Sequence, residues 1–126
     1  MKKRIQSESA PAPVGPYSQA ISVNGFLYCS GQIAIDPKTN EVLRGSVTDQ
    51  ARLCMENVKA VLGAANLTFD NVVKTTIFLT NMEDFSLVNE VYASYFGEVA
   101  PARSTVAVSA LPKGVDVEVE VIAHHN

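Results

Sequence analysis

The run Val115-Asp116-Val117-Glu118-Val119-Glu120-Val121 alternates valine with acid through seven positions. Only a β-strand, with its side-chain period of two, sends every valine to one side and every carboxylate to the other. The valine side demands a core. The acid side either meets water or lines something shared between subunits, so the fold of the chain turns on how much cover it can provide.

Asn24-Gly25 lies between Ala20-Ile21-Ser22-Val23 and Phe26-Leu27-Tyr28-Cys29-Ser30. Both turn residues tolerate positive φ, which predicts a tight hairpin. Gly31-Gln32-Ile33-Ala34-Ile35 is expected to extend the second strand until Asp36-Pro37-Lys38-Thr39-Asn40 breaks it. Ser46-Val47-Thr48-Asp49 opens a helix whose stripe is Ala51, Cys54, Met55, Val58, Val61, Leu62 and Ala65, with Asn66 able to close it in the left-handed conformation. Val72 to Thr80 is β-branched almost throughout and reads as a central strand. Asn81-Met82-Glu83-Asp84 repeats the capping pattern ahead of a second amphipathic helix marked by Phe85, Val88, Val91, Tyr92, Tyr95 and Phe96. Ser104 to Val108 and Val115 to Val121 are strands.

The order ββ(β)–α–β–α–β–β makes this an α+β chain of a single domain over residues 1–126. Two helices of roughly 14–20 residues can cover one face of a sheet of about four to six strands, and nothing remains for the other. A homo-oligomer that packs sheet faces or edges together would solve the exposure.

Ten Lys+Arg against 13 Asp+Glu give a net charge of −3, without the positive field that collects phosphates, which counts against nucleic-acid binding. Neither GxGxxG nor GxxxxGK[ST] occurs. The only histidines, His124 and His125, sit at the C-terminus and read as a solvated tail, which argues against a Ser-His-Asp triad or a zinc site. Cys29 and Cys54 each lie in an apolar run, as two buried thiols of a reducing compartment would. Met1-Lys2-Lys3-Arg4 is followed by Gln6, Ser7, Glu8 and Ser9 rather than an apolar signal core, and no stretch nears the ~18 apolar residues of a membrane helix. A cytoplasmic protein without membrane association is expected. Ala10 to Tyr17 carries three of the six prolines and is expected to be an ordered loop or arm.

Two polar residues stand out. Arg103 lies between a proline loop and a strand, where its planar fork could bind a carboxylate or make a surface or interfacial salt bridge. Glu118 lies opposite a fully assigned apolar face, free to face a cleft or solvent, and Glu120 shares its side.

Val14-Gly15-Pro16-Tyr17-Ser18-Gln19-Ala20, Ser30-Gly31-Gln32-Ile33, Pro101-Ala102-Arg103-Ser104, and Leu111-Pro112-Lys113 with Val117-Glu118-Val119-Glu120 closely resemble the Rid (YjgF) family, within it the RidA subgroup of reactive intermediate deaminases. Each motif is short, but four in register are specific, and the likeness runs from about Ile5 to Ala123. The resemblance implies a chorismate-mutase-like two-layer sandwich, a mixed sheet with two helices on one face, and a homotrimeric barrel with three active sites between subunits. It implies hydrolysis of enamines and imines such as 2-aminoacrylate and 2-aminocrotonate to pyruvate or 2-oxobutanoate plus ammonia, with no cofactor and no metal. Such intermediates leave pyridoxal-phosphate dehydratases acting on serine and threonine, which ties the expected activity to threonine degradation and isoleucine biosynthesis.

On the matching positions, Arg103 would bind the substrate carboxylate and Glu118 would activate water. Tyr17 would lie over the substrate, Ser30 and Asn89 would hydrogen-bond or shape the pocket, and main-chain groups of Gly31 and Thr105 would bind the nitrogen and the carboxylate. Glu120 is the rival base. Many relatives carry cysteine where this chain has Thr105, which argues against an obligatory thiol nucleophile there, and the loop from Phe96 to Pro101 is shorter than in some relatives. Two other readings stay open: a module that binds small 2-oxo acids without turnover, and the endoribonuclease or translation-inhibitor activity described for some family members.

Overall fold

In a computed structural model that describes residues 1–126, the chain runs β1 (Lys3–Ile5), β2 (Ala20–Val23), β3 (Phe26–Cys29), α1 (Val47–Ala64), β4 (Val72–Leu79), α2 (Phe85–Ala93), β5 (Ala102–Ala107) and β6 (Val117–His124). Short 3-10 turns occupy Phe69–Asn71, Met82–Asp84 and Pro112–Gly114. The strands form one mixed sheet in the order β1-β2-β3-β6-β4-β5, in which only the β4–β5 pair is parallel.

The local signals act as elementary stereochemistry requires. Asn24 and Gly25 take φ values of 52° and 80°, and Val23 pairs with Phe26 across the turn. Ser46 accepts a hydrogen bond from the Asp49 amide at 3.1 Å to start α1. Asn66 stops it at φ 61°, with the Leu67 amide donating back to the Leu62 carbonyl at 3.0 Å.

The acid–valine run lies in the interior of the sheet. Val117, Val119 and Val121 are buried under α1 and α2, joined by Leu27, Ile77 and Leu79 from neighbouring strands and by Cys54, Met55, Val58, Val61, Leu62 and Val88 from the helices. The opposite face presents Glu118 beside Phe78 and Glu120 beside Thr76, with Tyr28 beside Ile122, and no helix lies on it.

Several boundaries differ from the sequence reading. The second hairpin strand stops at Cys29. Beyond it Gln32 pairs singly with Val119, and because Tyr28 opposes Ile122, one extra residue is accommodated in between, as in a β-bulge. The second helix ends at Ala93. Tyr95 and Phe96 leave its axis through three-residue turns, their amides bonding Tyr92 and Ala93, and both pack on Phe69 with ring centroids 5.2 and 5.3 Å away. The last strand begins at Val117 and reaches His124, so His124 is no solvated tail: its ring meets Phe26 edge-on at 4.5 Å, and its carbonyl accepts from Asn71 Nδ2 at 3.2 Å. Strand β1 has no counterpart in the pattern of the sequence, since Lys3-Arg4-Ile5 is ordered only by pairing with Ala20–Ser22. Cys29 and Cys54 are buried free thiols, each pushed up to about 12 by burial. No helix is long and apolar enough to cross a membrane.

Candidate active site

On the face that carries no helix, a cavity of about 650 Å³ opens between the proline-rich arm and β6. Tyr17, Ser30, Gly31, Glu118 and Glu120 all line it. The arm is held by Gln19, buried at the head of the first hairpin strand. Its Oε1 accepts from the Ser7 amide at 2.6 Å, and its Nε2 donates to the carbonyls of Ser7 at 3.0 Å and Pro11 at 2.9 Å. Ser30 Oγ donates to the Ser18 carbonyl at 2.6 Å, so this hydroxyl shapes the wall and roots the arm. Tyr17 projects from the arm, half exposed, its hydroxyl accepting from the Val14 amide at 3.4 Å.

Gly31 and Glu118 are fitted to each other. A Cβ on Gly31 would stand 2.8 Å from Glu118 Cδ and closer still to Oε2, so only glycine leaves room for the carboxylate against the backbone. Glu118 is half-buried, and desolvation followed by repulsion from Glu120 raises its pKa above the ordinary glutamate value. An upward shift is the direction that makes a carboxylate a better proton acceptor.

Asn89, Arg103 and Thr105 lie elsewhere. Strand β5 sets Arg103 beside Thr75 and Thr105 beside Ile77, both of which point into the helix-covered side. The Arg103 guanidinium carbon stands 5.3 Å from the centroid of Phe85 and 5.1 Å from that of Tyr92, while Nη1 donates to Asn89 Oδ1 at 2.6 Å. The one ion pair in the chain joins Arg52 and Asp49 at 4.0 Å, so neither Arg103 nor Glu118 has an ionic partner within its own chain. The Thr105 hydroxyl is buried without a hydrogen-bond partner.

Within one chain the candidates therefore form two separate groups. Arg103 lies two strands across and three residue steps along from Glu118, on the order of 14 Å in backbone terms, and on the opposite face. The pattern of the sequence did not disclose Gln19 as the anchor of the arm, nor Phe85 and Tyr92 as the walls around Arg103. Phe85 and Tyr92 read only as helix stripe, and a glutamine beside a strand carries no local mark of burial.

The fold is that of a small α+β protein with an acid in a cavity on the open sheet face and an exposed arginine beside two aromatic rings of α2 at the sheet edge. The family model described as endoribonuclease L-PSP matches residues 7–125. A RutC family protein of Pyrococcus horikoshii is 53% identical over 124 residues, covering 98% of each chain. The mouse 2-iminobutanoate/2-iminopropanoate deaminase is 45% identical over 98% of this chain and 91% of its own. The crystal structure of Escherichia coli TdcF with bound serine superposes with a TM-score of 0.94 at 42% identity, covering 98% of this chain and 99% of the other. The chain belongs to the endoribonuclease L-PSP family, the Rid (YjgF) family expected from its four motifs.

Proposed function

We propose that the protein hydrolyses small 2-imino acids and their enamine tautomers, 2-aminoacrylate and 2-aminocrotonate, to pyruvate or 2-oxobutanoate and ammonia. The observation that carries this reading is a guanidinium with no acid partner, held in place by Phe85, Tyr92 and Asn89, in a chain whose one half-buried cavity acid, Glu118, has a raised pKa. Arg103 binds the substrate carboxylate as a forked ion pair. Glu118 takes a proton from water as its oxygen adds to the C=N carbon and passes it to nitrogen, giving a carbinolamine; it then takes the carbinol hydroxyl proton as the C=O bond forms and delivers it to nitrogen as the C–N bond breaks, so the net change is water in and ammonia out. The names of the mouse and bovine relatives support the substrate class.

Because Arg103 and Glu118 lie on opposite faces of one sheet, the reading requires a second copy to bring an arginine edge to a neighbour's cavity. A homotrimer with three sites between subunits meets that requirement, with Tyr17, Ser30, Gly31 and Glu118 from one chain and Asn89, Arg103 and Thr105 from the next.

Ketoacid release by a serine or threonine dehydratase, followed with and without the protein, tests the proposal. Wild type should accelerate release. Arg103→Ala should lose on the order of 2–4 kcal/mol of transition-state stabilisation, and Glu118→Gln should lose turnover while still binding 2-oxobutanoate. No acceleration by wild type would overturn the activity. Calorimetric binding of 2-oxobutanoate without turnover would favour a binding module, and RNA cleavage lost in Arg103→Ala would favour the activity in the family's name.

A further inference from the structure

Arginine at a strand edge is a flexible side chain, and a forked ion pair needs it in one orientation. Phe85, Asn89 and Tyr92 stand at i, i+4 and i+7 of α2 and so share one helix face. Two of them present rings to the Arg103 guanidinium, at 5.3 and 5.1 Å, and the third accepts from Nη1 at 2.6 Å. Tyr92 is itself pinned: it is buried, and its hydroxyl shares a 2.7 Å hydrogen bond with Thr75 Oγ1, which is wholly buried. Thr75 is also the direct lateral neighbour of Arg103 in the β4–β5 ladder. The contacts close a ring, from the Arg103 backbone to Thr75, from Thr75 to the Tyr92 hydroxyl, and from the Tyr92 ring back to the guanidinium.

Resting on the function proposed above, we propose that Tyr92, locked by Thr75, and Phe85 are positioning residues that hold the Arg103 guanidinium over their rings and present its remaining donor edge to the monocarboxylate of the substrate. The rings contribute no hydrogen bond to the ligand. Their effect is to remove the side-chain freedom that carboxylate binding would otherwise have to freeze. A lysine, with a point charge and no planar faces, would not be held in the same way.

The test uses two readouts on the full chain. In the first, the Arg103 side-chain Nε–Hε correlation, assigned by its loss in Arg103→Ala, reports the cradle without any ligand. In the second, calorimetry measures 2-oxobutanoate binding. In wild type the Hε signal should lie upfield of that of free arginine, shifted by the ring faces. Tyr92→Leu should return it toward the free position and weaken 2-oxobutanoate by about tenfold. Thr75→Val keeps a β-branched strand residue and touches no ligand, yet it should weaken binding several-fold while thermal unfolding shows the protein still folded. A wild-type Hε at the free-arginine position would overturn the cradle. Unchanged affinity in both Thr75→Val and Tyr92→Leu, with binding lost in Arg103→Ala, would overturn the positioning role. Equal binding by wild type and Arg103→Ala would instead bring down the assignment of Arg103 to the substrate carboxylate, and with it the ligand given to the cradle.

Discussion

Gly31 is where a single hydrogen atom governs the open face of the sheet. The Glu118 carboxylate occupies the space a Cβ would need, so Gly31→Ala must either rotate that carboxylate away or shift the bulged chain between Tyr28 and Gln32. We expect Gly31→Ala to reduce imine hydrolysis at least as much as Glu118→Gln, with the thermal midpoint little altered, since Glu118 is only half-buried; paired rate and melting measurements check this. The raised pKa of Glu118 has a stability counterpart. An acid whose folded pKa lies above its unfolded value lends stability that is fully present below the unfolded pKa and lost as pH rises through the folded one. Glu118→Gln carries no such charge. Its melting temperature should match wild type well below the ordinary glutamate pKa and exceed it once the pH has risen through the raised folded-state pKa, where the wild-type carboxylate is ionised in its half-buried place. A constant difference across that range would refute the assignment.

The elements are legible in the sequence to differing degrees, and the reasons are local. The hairpin at Asn24-Gly25 and the end of α1 at Asn66 depend on φ values that few residues accept, so their residues announce them. The end of α2 does not, because Tyr95 and Phe96 keep the apolar spacing of the helix while tertiary packing on Phe69 draws them off its axis. The arm is a third case. Its prolines exclude regular structure, but where it lies is set by Gln19, whose side chain satisfies main-chain groups of Ser7 and Pro11. Replacing Gln19 with alanine leaves those groups buried or forces the arm off. It should cost roughly 1–3 kcal/mol in urea unfolding, and amide exchange should quicken first in the segment that includes Ser7.

At the scale of the molecule, the sheet has one face under two helices and another on which Tyr28 and Val106 remain 46% and 41% exposed, beside partly buried Phe78 and Ile122. Apolar side chains in that number on an open sheet face favour association with further copies. Sedimentation of the wild type is expected to give a trimer. Val106→Glu, which sets a carboxylate on the outward side of β5, is expected to release monomers of unchanged circular dichroism that have lost turnover, because on the proposed reading the site needs two copies. A folded monomer with full activity would show that one chain suffices.

The sequence by itself determined the α+β class, the strand identity of the acid–valine run, the hairpin, the cap and stop of α1, and the membership carried by four motifs, since each depends on residues close together in the chain or on side-chain period. Tertiary structure alone decided that Arg103 and Glu118 fall on opposite faces of the sheet, that Tyr92 and Phe85 flank the arginine, that Gln19 secures the arm, and that His124 packs on Phe26. The reason is physical. Period and capping are read out over a few residues, whereas strand order, the bulge before Gln32 and the seating of α2 on β4 and β5 follow from contacts between segments from 14 to more than 90 residues apart, which no local pattern encodes.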